Sequence, residues 1–248
     1  MLPISIVIVT KNEEINIEDA LKSVAGAKEI VVVDSFSSDR TVEICRHFTD
    51  RVYQHEWRGF ARQKQTAVDY AEGPWVLILD ADERLTPALK TEITENISNT
   101  DCSGFYVPRE NYFIGKRIRH GGWRPDHTLR LFRKDRGRLE VRSVHEKVVV
   151  DGRTGYLKNP LRHYTYRSVS DFVERMERYS TLAAGEKMKN ARKAGLLSLA
   201  ARPLATFMKM YFLRLGFLDG ARGLVLAVLY SYYTFLKYAK IWEKRETE

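Results

Sequence analysis

Trp75-Val76-Leu77-Ile78-Leu79-Asp80-Ala81-Asp82-Glu83 is a short apolar run that ends abruptly in carboxylates. Its length and bulk predict a buried strand, bounded by Gly73-Pro74 before it and Pro87 after it. Asp80 and Asp82 alternate at the carboxyl end, and in extended chain they project to the same side. Two carboxylates placed together repel, and their pKa values rise unless a cation lies beside them. A hard divalent ion such as Mg²⁺ or Mn²⁺ takes oxygen ligands and shares them with substrate phosphates. In open α/β sheets, ligands bind beyond the carboxyl ends of the strands. The stretch therefore predicts a metal–diphosphate site. The simpler alternative is a polar loop that happens to follow a core strand.

Upstream, strand and helix patterns alternate. Ile4–Thr10 is a β-branched run, and Lys11-Asn12-Glu13-Glu14 suits a helix start before Ile17, Ala20, Leu21 and Val24 at helical spacing. Glu29–Asp34 is a second strand, again ending in a carboxylate, and Ser35–Asp39 is a turn and cap. A helix through Val42–Phe48, a short strand at Arg51–His55 and a helix from Phe60 to Ala71 lead into the opening stretch. Strands alternating with helices predict a parallel sheet with right-handed crossovers. The chain has no Gly-x-Gly-x-x-Gly and no P-loop sequence, so the usual dinucleotide and ATPase fingerprints are absent. Downstream, Pro87–Asn96 reads as a helix and Gly104–Phe113 as a strand. Tyr112–Pro125 reads as a long loop, and Thr128–Arg133, Val141–Val150 and Tyr156–Tyr164 as further strands.

The chain has 248 residues, enough for one large domain or one domain with an appendage. Its net charge of +9 favours anionic partners: nucleotide phosphates, nucleic acid or an acidic membrane surface. Cys45 and Cys102 have no metal-ligand spacing, and Cys45 reads as a packed helix residue. The N-terminus enters a strand without a basic region or long apolar segment, so no signal peptide is expected. A charged helix is predicted from Ser168 to Ala191. From Leu196 the chain becomes dense in apolar and aromatic residues, with Lys209, Arg214, Arg222, Lys237 and Lys240 among them. Its longest uncharged part, Gly223 to Leu236, is shorter than the ~20 residues of a spanning helix. Basic residues mixed with Phe, Tyr and Trp suit a helix lying among lipid headgroups. A helical pair that packs on the domain or makes a homo-oligomer is the alternative.

Several single residues can carry chemistry. Asp34 can accept a hydrogen bond from a nucleobase or ribose, or simply hold a turn. Lys64 lies on the helical stripe of Phe60, Ala67, Val68 and Ala71, so it needs an anion or a route to solvent. His145-Glu146 can supply a general base or an extra metal ligand. His127, beside Asp126, and His163 are similar cases. Arg124, Arg130 and Arg133 can clamp phosphate or form a solvated face.

Taken together, Ile6–Glu14, Val31–Thr41 and Leu79–Arg84 resemble the family 2 glycosyltransferases of the GT-A fold. The resemblance continues through Leu129–Phe132, Val144-His145-Glu146 and His163-Tyr164. The tail, Gly216–Gly220 to Tyr238–Lys240, is similar to the subgroup of lipopolysaccharide-core glucosyltransferases. Phe36 departs from the pattern, which has a small residue there, often Gly. The resemblance implies a Rossmann-like, mostly parallel sheet flanked by helices over residues 1–167. A helical, membrane-interfacial extension over 168–248 completes the expected architecture. It implies a nucleoside-diphosphate sugar donor, UDP favoured, held by Thr10, Glu13, Asp34, Lys64 and Asp80. It implies a divalent ion on Asp80 and Asp82, inverting transfer, and Glu146 as catalytic base, with His145 orienting it or completing the metal shell. Asp126 is the reserve base. The acceptor is then a glycolipid at the anionic inner face of the cell membrane, with no nucleic acid partner. Rival readings are transfer to polyprenyl phosphate, a haloacid-dehalogenase-type phosphatase and a non-catalytic docking scaffold.

Overall fold

The computed structural model describes residues 2–140, 147–189 and 196–247. The chain divides into two compact units, residues 1–110 with 126–163 and residues 111–125 with 164–248. Both the segment read as a loop and residues 164–167 therefore belong with the helical tail, where the sequence reading had drawn its boundary at 167/168.

The first unit begins with β1 (Leu2–Thr10), α1 (Glu14–Ser23), β2 (Ala27–Asp34), α2 (Thr41–Arg46), β3 (Val52–Gln54), α3 (Phe60–Tyr70) and β4 (Trp75–Asp80). After β4 come β5 (Glu83–Leu85), α4 (Pro87–Ser98) and β6 (Cys102–Phe113), which runs into the second unit and its β7 (Lys116–Arg117), and then β8 (His127–Arg133) and β9 (Gly137–Glu140) of the first. β10 (Lys147–Val150), β11 (Arg153–Tyr156) and β12 (Leu161–Tyr166) follow. The main sheet runs β3-β2-β1-β4-β8-β6. Its β3-β2-β1-β4 half is parallel, as the alternating pattern predicts. β8 joins antiparallel to β4, and β6 antiparallel to β8. The strand read at Tyr156–Tyr164 is interrupted: Tyr156 ends β11, Leu157–Pro160 is irregular, and Leu161–Tyr164 lies in β12, while β9 adds a strand beyond the sequence reading.

The apolar runs of β1 and β4 are continuous because both sheet faces are covered. Ile4, Ile6, Ile8, Leu77 and Leu79 pack with Ile17 and Leu21 of α1 and with Leu89 and Ile93 of α4. The alternate residues Val7, Val76 and Ile78 pack with Ala67 and Val68 of α3 and with Phe132. Cys45 lies in the first cluster, where burial pushes its thiol up to about 12. It is a packing residue and not a nucleophile.

In the second unit, α5 (Val169–Lys189) and α7 (Gly220–Thr247) pack on a cluster of Phe113, Ile118, Trp123, Tyr166, Phe172, Met176, Leu226 and Leu229, and α6 (Leu196–Met208) packs against α7. A π-helical turn, Lys209–Leu213, and a 3₁₀ turn, Gly216–Asp219, join α6 to α7. Among the described residues no helix is long and apolar enough to cross a membrane.

β4 is central to both core clusters, so it sets the stability of the first unit. Leu77→Ala, at a fully buried site, should cost about 2–5 kcal/mol in urea denaturation. A loss below ~1 kcal/mol would show that β4 is not the packed centre.

Candidate active site

Register places the candidate residues. Thr10 pairs with Asp34 and Val9 with Asp80, so the ends of β1, β2 and β4 meet at one sheet edge. The Thr10 hydroxyl is buried and has no hydrogen-bond partner among the described residues. An unsatisfied buried hydroxyl costs free energy unless something bonds it. Asp34 is fully buried; it accepts from Ser37 N at 2.8 Å, from the Ser37 hydroxyl and from Gln54 Nε2 at 3.2 Å.

Two loops are tied together above this edge. Asn12 N donates to Ser37 Oγ at 2.8 Å, and Ser38 N donates to Asn12 Oδ1 at 2.8 Å. Glu13 N donates to Thr41 Oγ1 at 2.8 Å, and the Glu13 carboxylate accepts from Asn16 Nδ2 at 2.6 Å. Glu13 thereby organises the start of α1. Phe36 has φ +56°, which explains the small residue usual at this position. Its ring is 56 % exposed.

At the end of β4 the carboxylates meet cations of the chain itself. Lys64, buried on α3, lies 2.8 Å from Asp80 Oδ1, and Arg130 of β8 bonds Asp80 Oδ2. The lysine in the apolar stripe thus finds its anion in Asp80. Arg130 also reaches Glu83 Oε1 at 3.1 Å, and Arg109 approaches the same oxygen at 3.5 Å. Glu83 is fully buried and its other oxygen accepts from Asp80 N at 3.0 Å. Burial alone would raise the Asp80 carboxyl, but Arg130 and Lys64 outweigh it and hold it far below the usual carboxylate range. Asp80 is therefore an anion with two cations in contact.

The strand stops at Asp80, and a turn carries Asp82 to different partners. The expectation that both carboxylates act alike on one strand face does not survive this geometry. Asp82 Oδ2 lies 3.4 Å from His163 Nε2. Burial disfavours the charged His163 ring, but the Asp82 carboxylate overcomes it, by its charge and by a hydrogen bond, with help from Glu83, and raises the pKa. Arg84, also buried, donates to the carbonyls of Ala81, Glu83 and Asn16, fixing the turn to α1.

Asp126, the reserve base, is held by Arg109 on both oxygens at 3.0 Å. The bidentate guanidinium fixes it as the ion-pair partner of Arg109. His127 stacks edge-on against Tyr156, and Arg133 pairs with Asp135; neither joins the cluster. His145 and Glu146 lie outside the described residues. Arg109 and Glu83 were not singled out from sequence as site residues. Their signal was a charged pair at Arg109-Glu110 late in a strand, and a third carboxylate after Asp82.

Among the described residues no group of three or more His, Cys, Asp or Glu is arranged to hold a metal. Asp82 with His163 is still a nitrogen–oxygen donor pair that fits a divalent ion sharing its remaining ligands with phosphates.

The profile described as Glycosyl transferase family 2 matches residues 5–165. The chain is 32% identical over 98% of its length, and 93% of the relative's, to the lipopolysaccharide core biosynthesis glycosyltransferase LpsC of Rhizobium meliloti. It is 30% identical, over 98% of itself and 88% of the relative, to an uncharacterized glycosyltransferase of Rickettsia typhi. In fold it is similar to the mannosyltransferase PcManGT of Pyrobaculum calidifontis, at TM-score 0.54 and 16% identity, covering 96% of this chain and 86% of that one. The chain belongs to glycosyltransferase family 2, with a GT-A-like fold, and it is a glycosyltransferase. The phosphatase and scaffold readings fall with that assignment.

The buried cluster generates a stability test. Glu83→Gln keeps shape but removes the anion that Arg130 and Arg109 share. It should cost about 3–5 kcal/mol in chemical denaturation. A change within ~0.5 kcal/mol would show that the cluster is not coupled to folding.

Proposed function

We propose that the enzyme transfers a glucose-like hexose from a nucleoside-diphosphate sugar, UDP favoured, to a lipopolysaccharide-core or related membrane-linked acceptor. Transfer inverts the anomeric centre. The single observation that carries the reading is the convergence of Thr10, Asp34 and Asp80 at one sheet edge beside Asp82 and His163. The core acceptor rests on the likeness to LpsC along nearly the whole chain. A nucleotide-sugar donor and a divalent ion are in keeping with PcManGT, whose structure holds GDP-Man and Mn²⁺.

The residues divide the work. Asp34 accepts from the nucleobase or ribose, and the Thr10 hydroxyl finds there the partner it lacks within the described chain. Glu13 holds the loop that borders them. Lys64, anchored by Asp80, would lend positive charge to the diphosphate, and Asp80 would help hold the donor and the ion. Asp82 and His163 would hold the ion. When bound, it neutralises charge on the leaving nucleoside diphosphate. Glu146 takes the proton from the acceptor hydroxyl as that oxygen attacks the anomeric carbon in line with the departing phosphate. His145 orients it. The helical tail lies at an anionic inner leaflet, where its basic and aromatic residues suit the headgroup layer.

Asp82→Ala should abolish nearly all transfer while preserving the melting transition. Excess chelator should do the same to the unaltered enzyme, with Mn²⁺ or Mg²⁺ restoring it; full activity in chelator would exclude the ion. Glu146→Gln keeps shape without basicity, and should slow single-turnover transfer by ~10²–10⁴ with donor affinity unchanged. A near-native rate would remove Glu146 as base.

A further inference from the structure

The second unit contains a pocket of about 390 Å³ lined by Arg119, His120, Gly122, Arg124, Pro125, Leu213, Arg214 and Leu215. Three arginines and a histidine converge on it from two stretches almost 90 residues apart in sequence. Among the described residues no carboxylate forms an ion pair with the side chains of Arg119, Arg124 or Arg214, and all three are exposed. Asp219 lies close by but is already engaged. It accepts from the backbone of Arg119 at 3.1 Å and of His120 at 2.8 Å, and sits 3.2 Å from the His120 ring. The larger hollow of the first unit, about 610 Å³, differs, because its Arg51 is paired with Glu29 and Glu72.

The pocket is built, not a chance gathering of surface charge. Gly121 N donates to Arg214 O at 2.8 Å, joining the two stretches. Gly122 has φ +88°, and a Cβ there would overlap the Arg214 guanidinium. The Arg214 side chain thus lies directly against the Gly122 backbone, where the two stretches meet. Leu213, 80 % exposed, and the exposed Leu215 line the pocket, and Phe212, Phe217 and Leu218, 56 % exposed, lie beside them in sequence on the turns that join α6 to α7. A large exposed apolar patch marks an interaction surface. Beside unpaired guanidinium groups it matches the boundary where lipid phosphates meet acyl chains.

We propose that this pocket receives the phosphate headgroup of an anionic membrane lipid, with Arg119, Arg124 and Arg214 on the phosphate and Leu213, Leu215 and Leu218 entering the acyl boundary. The proposal deepens, and rests on, the membrane-docked reading of the tail. It gives that docking a defined site instead of diffuse charge. Planar guanidinium groups suit phosphate oxygens by paired N–H donors.

The test is vesicle flotation with the full chain. Vesicles are phosphatidylcholine alone or mixed with phosphatidylglycerol. The unaltered protein should bind the mixed vesicles and prefer them to the neutral ones. Arg124→Gln with Arg214→Gln should weaken that binding about 25-fold, near fivefold for each charge removed. Leu213→Ser with Leu218→Ser should weaken it as well. Arg133→Gln with Arg136→Gln removes the same charge from the first unit and should have little effect. Thermal melts confirm that each variant is folded. Equal weakening by both arginine pairs, or none by the pocket pair, overturns the pocket while leaving tail docking standing. Failure of the unaltered protein to bind mixed vesicles overturns docking and pocket together. Dimerisation through the leucine rim, or a melt raised by inorganic phosphate without vesicle binding, assigns the surface to a second copy or to a free anion and overturns the proposal.

Discussion

Carboxylates at the end of β4 must be compensated before this fold can close. Asp80 is met by Lys64 and Arg130, Arg130 is shared with Glu83, and Glu83 is shared with Arg109, which is held in turn by Asp126. Each link is buried or half-buried, so removing one charge strands another in low dielectric. The chain runs from α3 through β4 and β5 to β6 and β8, which ties the parallel half of the sheet to the antiparallel half. An ion network of this kind adds little net stability over well-packed apolar groups. It does fix the geometry of the sheet edge where β1, β2 and β4 end.

That edge exists because the core has two apolar faces. The alternation of Ile6 and Ile8 with Val7, and of Leu77 and Leu79 with Val76 and Ile78, presses α1 and α4 on one side and α3 on the other. Register then sets Thr10 opposite Asp34 and Asp80 opposite the preceding Val9, at the carboxyl ends of the three strands. Backbone strain appears where the loops leave the sheet. Asn12 and Phe36 both adopt positive φ, and each loop hydrogen-bonds the other. A strained pair of loops is the usual surrounding of a ligand site.

Much of the first unit could be read from the residues. β-branched runs and the helical spacing of Ile17, Ala20 and Leu21 predicted the parallel half directly, and Lys64 betrayed an anion by lying in an apolar stripe. The identity of that anion was not legible, because α3 and β4 meet only through long-range packing. The alternation rule also failed at Asp82, since it assumes an extended chain and a turn intervenes. Nothing in sequence reveals that Arg109 of β6 holds Asp126, the reserve base. The loop read at Tyr112–Pro125 proved to be part of the second unit, where Phe113, Ile118 and Trp123 join an aromatic core with the tail helices. Such a contact, between segments some 100 residues apart, leaves no local periodicity.

The central claim is that donor binds at the carboxyl edge of β1, β2 and β4 and not elsewhere on the chain. A crystal structure with UDP and Mn²⁺ tests it most directly. The account predicts the uridine between Thr10 and Asp34, the Thr10 hydroxyl hydrogen-bonded, and the ion on Asp82 bridging to the diphosphate. Nucleotide bound away from that edge, or an ion that ignores Asp82, would contradict it.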